Sequence, residues 1–460
     1  MNNRKGMGMF MKGINQKISF LLVLLMFFTV ACQSPTSSTG EQSKTDTTEE
    51  NNNETASGNS DALDLMIPNF YNDVEKQQWE TVVDKFKELN PGIEVNLTTG
   101  DVQVESGKLP TLLQSGIEPP DAILMNAGPG RVSILSDVDL IQPLNELYEK
   151  NNWKDELRPF AYDLISKGEY IYEVPHMIDA IGMFYNKDVF EEHGVEVPTT
   201  KDEFLKALQT LKDGGVAPIT VGARNGYAIG WIFGVMMESV MGTEKVEELL
   251  YGDGKWNDPE VVKVAEMLAE WVDEGYITKE SVTQTQADSK FRFLSKQAAM
   301  ESEGTYLITD LADQNLQDSV DMFMMPSFVD GKTAKPVGGV GQTWVVPTKA
   351  VNVDYAEKWL GFILSEDFSN IVLNFPDYNF IPASKASMDI EPVGEVLKSA
   401  MKQIEEGSGY NPSVFIGVEA KEAYYQNLQG LVGGLISPQE AMENIEKGAE
   451  KDRANGFSLK

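Results

Sequence analysis

Residues 170–188 constrain the fold more than any other part of this sequence. Two short apolar runs lie on either side of Pro175, and a single carboxylate, Asp179, stands between them. Asn186 and the residues after it then begin a short helix that we expect to end at Gly194. The pattern predicts a strand, a break at Pro175, a second strand and a helix, and such a break is typical of a hinge.

Capping residues mark several helix starts. Thr200 and Glu203 have the spacing of a capping box at the head of an amphipathic helix, and residues 437–440 repeat that pattern. Asp258 stands directly before Pro259 and is predicted to be the N-cap of a further helix. These signals fix where helices begin in the second half of the chain.

The N-terminal part of the body alternates between strands and helices. Apolar strands are predicted at residues 63–67, 93–97 and 122–125, with helices between them. This alternation is typical of a parallel sheet covered on both faces. Because ligands bind beyond the carboxyl ends of such strands, the loops at residues 69–72 and 126–131 are predicted to lie at a cleft.

The charge excludes two classes of partner. The net charge is −33, and the first 31 residues hold four cations and no acids. Their removal would leave 34 cations against 71 acids, a net charge of −37. A surface this acidic repels nucleic acid and anionic lipid, so we expect neither as a partner. The charge is equally compatible with a role in solubility alone.

Catalytic and metal-binding motifs are missing from the sequence. One cysteine and two histidines cannot form a disulfide or the usual zinc or copper site. There is no nucleophile elbow, and residues 330–333 lack the upstream glycine of a phosphate loop. We therefore expect no cofactor and no metal. Together with the family resemblance described below, the missing motifs favour a binding protein rather than an enzyme.

The N-terminus is typical of a lipoprotein signal peptide, residues 1–31. A basic start precedes an apolar run that is too short to span a bilayer. A small residue, Ala31, directly precedes the only cysteine, Cys32, which resembles a lipobox and predicts acylation of Cys32. The alternative is a type I cleavage site beside a bystander cysteine. Residues 32–60 are polar and predicted to form a disordered tether.

The stretch after Pro175 resembles the extracellular solute-binding proteins of ABC importers, of the maltose-binding type. The resemblance is carried by Val-Pro, Tyr-Asn-Lys-Asp, Gly and a Pro-Thr helix start between residues 174 and 199, and it extends from about residue 63 to the C-terminus. It implies an α/β fold of the type II periplasmic-binding-protein class, with two lobes and a ligand cleft between them. Three crossings would join the lobes, the second at residues 336–344 and the third at residues 380–383.

The resemblance also implies lobe boundaries and a function. The N-terminal lobe would comprise residues 61–178 and 339–381, and the C-terminal lobe residues 179–338 and 382–460. The protein would be a monomer held by its lipid at the outer face of the cytoplasmic membrane, and a Gram-positive host fits the long tether. It would bind a carbohydrate by lobe closure and deliver it to a membrane permease.

Polar site residues follow from the same resemblance. Asp179 matches the cleft acid of the family, and its alternative role is a helix or turn cap. Asn126 and Arg131 follow the third strand, where the family has ligand contacts. Asn411, in the C-terminal segment, is a further polar candidate.

Aromatic residues are needed as well, because sugars present flat C–H faces to rings. Tyr306 is the first choice for the stacking ring, since it follows a glycine at the family's strand-to-loop segment. Trp231, Trp344 and Phe415 are alternatives, each of which would otherwise be a core aromatic. Tyr227 lies in the loop before Trp231.

Three other functions stay open at this point. A receptor of the same fold for glycerol phosphate or another anion would need convergent cations, for which Arg131 and Arg224 are available. Arg224 could instead form a surface ion pair. A surface glycoside-acting enzyme would need a carboxylate pair that no spacing identifies. A purely structural lipoprotein would bind no ligand.

Overall fold

The structure is a computed structural model that describes residues 61–459 except 116, 118, 167 and 406. The described residues belong to one compact unit. The predicted signal peptide, Cys32 and the tether lie outside them. Among the residues that are described, no helix is both long and apolar enough to cross a membrane.

Ten strands within this described part form one sheet. Their bounds are β1 Ala62–Pro68, β2 Glu94–Gly100, β3 Ala122–Asn126, β4 Val174–Asn186, β5 Ala217–Thr220, β6 Ala298–Gly304, β7 Val320–Phe323, β8 Val337–Val345, β9 Ile381–Pro382 and β10 Gly409–Tyr410.

Helices cover the sheet, and four short 3-10 helices lie at Val104–Ser106, Ala223–Asn225, Lys279–Thr283 and Lys385–Asp389. The α-helices of the described residues are α1 Asp73–Leu89, α2 Lys108–Gln114, α3 Pro129–Ser136, α4 Asn145–Asn151, α5 Trp153–Glu156, α6 Pro159–Ile165, α7 Lys187–Glu192, α8 Lys201–Asp213, α9 Tyr227–Met241, α10 Thr243–Tyr251, α11 Pro259–Asp273, α12 Gln286–Leu294, α13 Leu307–Asp313, α14 Val353–Ile363, α15 Glu366–Asn374, α16 Glu395–Gln403, α17 Pro412–Phe415, α18 Val418–Val432 and α19 Pro438–Ala454.

The strand order is β2-β1-β3-β8-β4-β6-β5. Strands β1, β2 and β3 pair in parallel, as the alternation of strands and helices predicts. Strand β8 pairs antiparallel with both β3 and β4, and β6 and β5 pair in parallel at the other end of the path. The long strands β4 and β8 therefore join the two ends of the sheet.

The predicted break at Pro175 is wrong. Strand β4 runs through this residue, and Pro175 pairs with Thr343 of β8. The register instead shifts just after it, because His176 on β4 and Gly341 on β8 are skipped in the pairing. A bulge lets a strand accommodate a proline without ending, and it bends and twists the strand at that point.

The predicted caps form to different degrees. Thr200 and Glu203 make the complete, reciprocal capping box at the start of α8. Ser437 accepts a hydrogen bond from the Glu440 backbone, but the return bond that would complete the box is not formed. Asp258 occupies the N-cap position of α11 without capping it, because its carboxylate accepts from the Lys255 backbone at 2.8 Å.

Two large hydrophobic clusters flank the sheet. One surrounds Trp79, Trp344 and Trp359, and the other surrounds Phe233 and Tyr424. The first cluster also takes in side chains that lie beyond residue 179, such as Phe184 and Leu307. The two clusters therefore do not coincide with the predicted lobes. The lobe boundaries stay a prediction.

Candidate functional site

A cavity of about 580 Å³ lies where β4 and β8 cross the sheet, and this size is typical of sites for small ligands. The end of β3, helices α3, α9, α17 and α18, and the residues Glu105, Tyr306 and Tyr378 also contribute to its wall. Its polar and aromatic lining residues are Glu105, Asn126, Arg131, Asp179, Tyr227, Trp231, Tyr306, Gln342, Tyr378, Asn411, Ser413, Lys421 and Tyr425.

Most of the residues singled out in the sequence line this cavity. They come from six separate elements or loops, so the fold brings together side chains that are far apart in the chain. Those on the cavity are Asn126, Arg131, Asp179, Tyr227, Trp231, Tyr306 and Asn411.

Asp179 owes its position to glycines on the neighbouring strand. A Cβ atom on Gly341 would lie 2.4 Å from Asp179 Cγ, and one on Gly338 would lie 2.3 Å from the Asp179 carbonyl oxygen. Gly338 also has a φ of 147°, which side chains rarely permit. Only glycine at these two positions lets β8 pass this close to the acid.

The Asp179 carboxylate is available to a ligand. Among the described residues, none donates a hydrogen bond to either of its oxygens, and these oxygens line the cavity. Burial raises the pKa of Asp179 to about 6, while the Arg131 guanidinium opposes the shift. A partly buried acceptor without a partner is costly, and a ligand that donates hydrogen bonds would offset that cost.

Substitution of Gly341 by alanine tests this arrangement. The added methyl would push the Asp179 carboxyl out of place, so we expect ligand affinity to fall about 10-fold, the equivalent of one hydrogen bond to a charged group. Isothermal titration calorimetry would measure the change. Gly361→Ala is the matched control, because its nearest neighbour would be 3.9 Å away. Equal affinities for both variants would contradict the proposed role of Gly341.

Three rings form one wall. The centroids of Tyr227 and Trp231 are 5.1 Å apart, and those of Trp231 and Tyr306 are 5.7 Å apart. Tyr306 folds over Gly304, where a Cβ atom would lie 2.2 Å from the ring. Its hydroxyl is buried, and burial together with nearby Glu303 raises the pKa of Tyr306 well above its usual value. Tyr306 therefore offers the cavity its ring rather than its hydroxyl.

Two further rings come from elements that sequence reasoning did not connect with the site. Tyr378 donates a hydrogen bond to Glu75 Oε1 at 2.8 Å, which fixes the ring at the cavity. Tyr425 on α18 lies against Gly226, where a Cβ atom would be only 2.6 Å away. A ligand in the cavity is thus surrounded by rings from several directions.

The opposite side of the cavity carries two cations and one acid. Arg131 donates from Nε to Glu105 and from Nη1 to the Ala127 carbonyl, both at 2.9 Å. Lys421 Nζ lies 3.9 Å from the same Glu105 oxygen. Burial, then Arg131, lowers the pKa of Lys421 to about 8. Lys421 is a donor of the site that sequence reasoning missed.

Asn126 and Asn411 differ in the hydrogen bonds that they make within the protein. Asn126 is at the end of β3, and its backbone pairs with Gln342 of β8. The side-chain oxygen of Asn411 instead caps α17 by accepting from the Ser413 backbone and hydroxyl at 3.3 and 2.9 Å. Asn411 therefore holds α17 in place as well as lining the cavity.

Three of the candidate residues do not reach this cavity. Trp344 is fully buried, and its Nε1 donates to His176 Nδ1 at 3.2 Å within a cluster of rings. Phe415 packs in the second hydrophobic cluster and lines a separate cavity near the C-terminus. Arg224 is exposed beside Asp288 and does not line the cavity. The structure therefore does not support the ligand contacts that were predicted for these three residues.

The loop at residues 69–72 also lies off the cavity. Asn72 caps α1 with its side chain, and the Tyr71 hydroxyl donates to Asp310 at 2.8 Å. Of the residues missed, Gln342 lies inside the glycine-rich stretch that was identified as a crossing, so it could have been proposed. Lys421, Tyr425 and Tyr378 carried no such signal.

The arrangement is suited to binding a small polar molecule between rings. Rings cover flat apolar faces, while Asp179, Arg131 and Lys421 supply charged hydrogen-bonding groups around the edge. No group of three or more His, Cys, Asp or Glu side chains within the described part of the chain is placed to hold a metal ion.

The sheet with its two long crossing strands, and the cavity at the crossing, define a solute-binding protein of the periplasmic-binding-protein fold. Residues 72–368 match the family described as bacterial extracellular solute-binding protein. This chain belongs to that family, and within it to the solute-binding proteins of ABC importers, as the resemblance in its sequence implies.

Individual relatives agree with this assignment. An uncharacterised ABC transporter extracellular-binding protein of Pyrococcus horikoshii is 25% identical over 80% of this chain and 82% of its own length. A multiple sugar-binding protein of Streptococcus mutans is 22% identical over 42% of this chain and 47% of its own. The solved structure of a chitin oligosaccharide binding protein superposes with a TM-score of 0.72 at 22% identity, covering 85% of this chain and 99% of that one.

Proposed function

We propose that this protein captures a carbohydrate in the cavity at the strand crossing and delivers it to an ABC permease. The observation that carries the proposal is the wall of three rings, Tyr227, Trp231 and Tyr306, beside the Asp179 carboxylate, which accepts no hydrogen bond from any residue that the structure describes. Rings stack on the C–H faces of a sugar, and an ionised carboxylate accepts hydrogen bonds from its hydroxyls. The volume of about 580 Å³ suits more than a single small ring.

Relatives support the choice of ligand class, since their names refer to multiple sugars and to chitin oligosaccharide. Capture would use lobe closure, because only a closed form contacts the ligand on both sides. The proposed lobes are residues 61–178 with 339–381 and residues 179–338 with 382–460.

Anchoring and delivery complete the proposal. Cys32 would carry the lipid that holds a monomer at the outer face of the membrane, and the polar residues that follow would keep the body clear of it. The closed form would dock on the permease. Mutation of Cys32 to serine should release the protein into the medium without changing its affinity for the ligand.

An anionic solute is the second candidate. Arg131 and Lys421 both line the cavity, with Glu105 between them. A ligand with a phosphate or carboxylate would accept hydrogen bonds from both cations. Asp179 argues against this candidate, since its carboxylate would repel an anion that fills the whole cavity.

A thermal-shift panel tests both candidates. The chain from residue 61 onward would be melted with galactose, melibiose, raffinose, stachyose, xylotriose, diacetylchitobiose, galacturonate and glycerol phosphate. A ligand at 100 times its dissociation constant stabilises the native state by about 2.7 kcal/mol, so binding should raise the melting temperature measurably. Chromatography of the same mixtures would show whether any sugar is cleaved.

A rise with a neutral sugar that is recovered intact would support the carbohydrate receptor. A rise with glycerol phosphate or galacturonate alone would move the assignment to an anion receptor. Cleavage products would make the protein an enzyme, and no rise with any compound would contradict the proposed function.

A further inference from the structure

A chain of hydrogen bonds runs behind the aromatic wall of the cavity. Both carboxylate oxygens of Glu303 on β6 accept from Gln286 Nε2 at 2.9 Å. The other end of that amide, Gln286 Oε1, accepts from the Tyr227 hydroxyl at 3.1 Å. Tyr227 lines the cavity, whereas Glu303 is 1% exposed and does not. Glu303 could thus affect a ligand only through its neighbours.

The charge on Glu303 determines which group donates and which accepts in each hydrogen bond of this chain. An ionised carboxylate is only an acceptor, so the Gln286 amide must turn its NH₂ group towards Glu303. Its oxygen then faces Tyr227, and the Tyr227 hydroxyl must donate its single proton to that oxygen. Towards the cavity, the Tyr227 hydroxyl can therefore only accept hydrogen bonds, through the lone pairs of its oxygen.

A second buried acid explains why Glu303 can hold the charge. Glu301 lies two residues earlier on the same face of β6, and its Oε1 accepts from Ser289 Oγ at 2.5 Å. Burial and the charge of Glu303 raise the pKa of Glu301 well above its ordinary value. Two neighbouring acids with mainly neutral partners do not ionise together readily, and the more strongly raised pKa of Glu301 makes it the acid that we expect to keep the proton.

The groups around the two acids favour the same assignment. Burial raises the pKa of Glu303, while the Tyr306 hydroxyl, then the Gln286 amide and Lys290, oppose that rise. Lys290 opposes the rise of the Glu301 pKa as well. Glu303 thus has more groups that stabilise its ionised form than Glu301, whose Oε2 has no hydrogen-bond partner among the described residues.

We infer that Glu303 is a positioning residue that, through Gln286, fixes the Tyr227 hydroxyl as an acceptor towards the cavity. With Asp179, this makes the aromatic end of the cavity a site for hydrogen-bond donors, so it selects the free hydroxyl groups of a ligand. The inference deepens the proposed carbohydrate function and rests on it. Neither Glu303 nor Gln286 lines the cavity, so both act on a ligand through neighbours rather than by direct contact. Gln286 acts through Tyr227, whereas Glu303 is in contact with Tyr306 as well.

The test compares affinities for the panel sugar that gives the largest thermal shift. In Glu303→Gln, the Gln286 amide is no longer held in one orientation, and we expect affinity to fall about 3- to 10-fold, the equivalent of one neutral hydrogen bond. Ser289→Ala is the matched control, since Ser289 Oγ donates to Glu301 and to the Gln286 carbonyl but not to the Gln286 side-chain amide that connects Glu303 with Tyr227. Its affinity should stay within about twofold of wild type, the usual limit for a change that leaves the site intact.

A swapped double variant separates positioning from general damage. In Glu303→Gln with Gln286→Glu, the carboxylate sits on α12, so the Tyr227 hydroxyl still donates towards position 286. Affinity should recover to near the wild-type value. In a Tyr227→Phe background, Glu303→Gln should have a smaller effect than in wild type, because only its contact with Tyr306 is then left to act on the ligand. An affinity that stays low in the swapped variant, or independent losses from Glu303→Gln and Tyr227→Phe, would overturn the inference.

An unfolding experiment without ligand distinguishes failure of this inference from failure of the proposed function. If no sugar binds wild type, the proposed function fails, and the hydrogen-bond chain is tested by urea unfolding of wild type, the two single variants and their combination. Glu303→Gln and Tyr227→Phe should then have non-additive effects on the unfolding midpoint, because Gln286 couples them. Additive effects would contradict the existence of this chain of hydrogen bonds.

Discussion

Replacement of Asp179 by asparagine is expected to weaken ligand binding about 100-fold while it stabilises the unliganded protein at neutral pH. The loss follows because a carboxylate that accepts hydrogen bonds contributes about 1.5–3 kcal/mol per bond, and asparagine offers one acceptor oxygen without the charge. Calorimetric titration with the sugar found in the panel measures the loss. The opposite sign of the two effects is what distinguishes a binding residue from a structural one.

The gain in stability follows from the raised pKa. Because the pKa of Asp179 is about 6 in the folded protein and 3.8 ordinarily, the folded state holds the extra proton between these values. Stability therefore falls as pH rises through this window, and above it the buried charge costs up to about 3 kcal/mol. Asp179→Asn removes that cost, so its unliganded melting temperature at pH 7.5 should exceed that of wild type.

Ligand affinity should depend on pH in the reverse sense. Below the pKa of about 6, Asp179 is protonated and accepts fewer hydrogen bonds, so affinity should fall between pH 7.5 and pH 5. This dependence should be weaker in Asp179→Asn. Asp188→Asn is a control, because Asp188 forms an exposed ion pair with Lys296 away from the cavity. Unchanged affinity in Asp179→Asn would refute the assigned role of this acid.

Replacement of Trp344 by alanine should lower the free energy of unfolding by about 3–5 kcal/mol. Trp344 is fully buried, its ring centroid is 5.5 Å from that of Trp359 and 6.1 Å from that of Trp79, and its Nε1 donates to His176. Alanine would leave a cavity in this cluster and deprive His176 of its donor. Urea unfolding of the unliganded protein, followed by circular dichroism, measures the change.

Trp231→Ala provides the comparison. Trp231 is half-buried on the cavity wall, so its removal should reduce ligand affinity more than stability, whereas Trp344→Ala should do the reverse. Trp344→Phe should recover part of the lost stability because it refills the space with a ring. If Trp344→Ala left the free energy of unfolding unchanged but lowered ligand affinity, the assignment of Trp344 to the core would be wrong.

Much of the local structure could be predicted from the sequence, because its signals act over a few residues. The capping box of Thr200 and Glu203 forms because both partners lie within one helical turn. Asn126 could be proposed for the site because it follows an apolar strand, and the ends of such strands tend to line clefts. Asp179 and Tyr306 are proposed from the resemblance to the family.

The error at Pro175 has its cause in the pairing of β4 with β8. Alternation along a strand assigns side chains to faces only while the register is regular. The skipped residues His176 and Gly341 break that regularity, and β4 bulges there instead of ending. Trp344 lies two residues beyond Gln342 on the regularly paired part of β8, where the first hydrophobic cluster covers it. A bulge depends on the pairing of two strands that are far apart in the chain, which no local pattern encodes.

The sequence by itself determined the alternation of strands and helices, several helix starts, the family resemblance and the acid at position 179. Only the tertiary structure decided that Lys421, Tyr378 and Tyr425 meet at the cavity and that Glu303 reaches it through Gln286. The reason is that burial, pKa shifts and hydrogen-bond direction depend on the neighbours of a side chain in space. Those neighbours come from distant parts of the chain, and folding alone selects them.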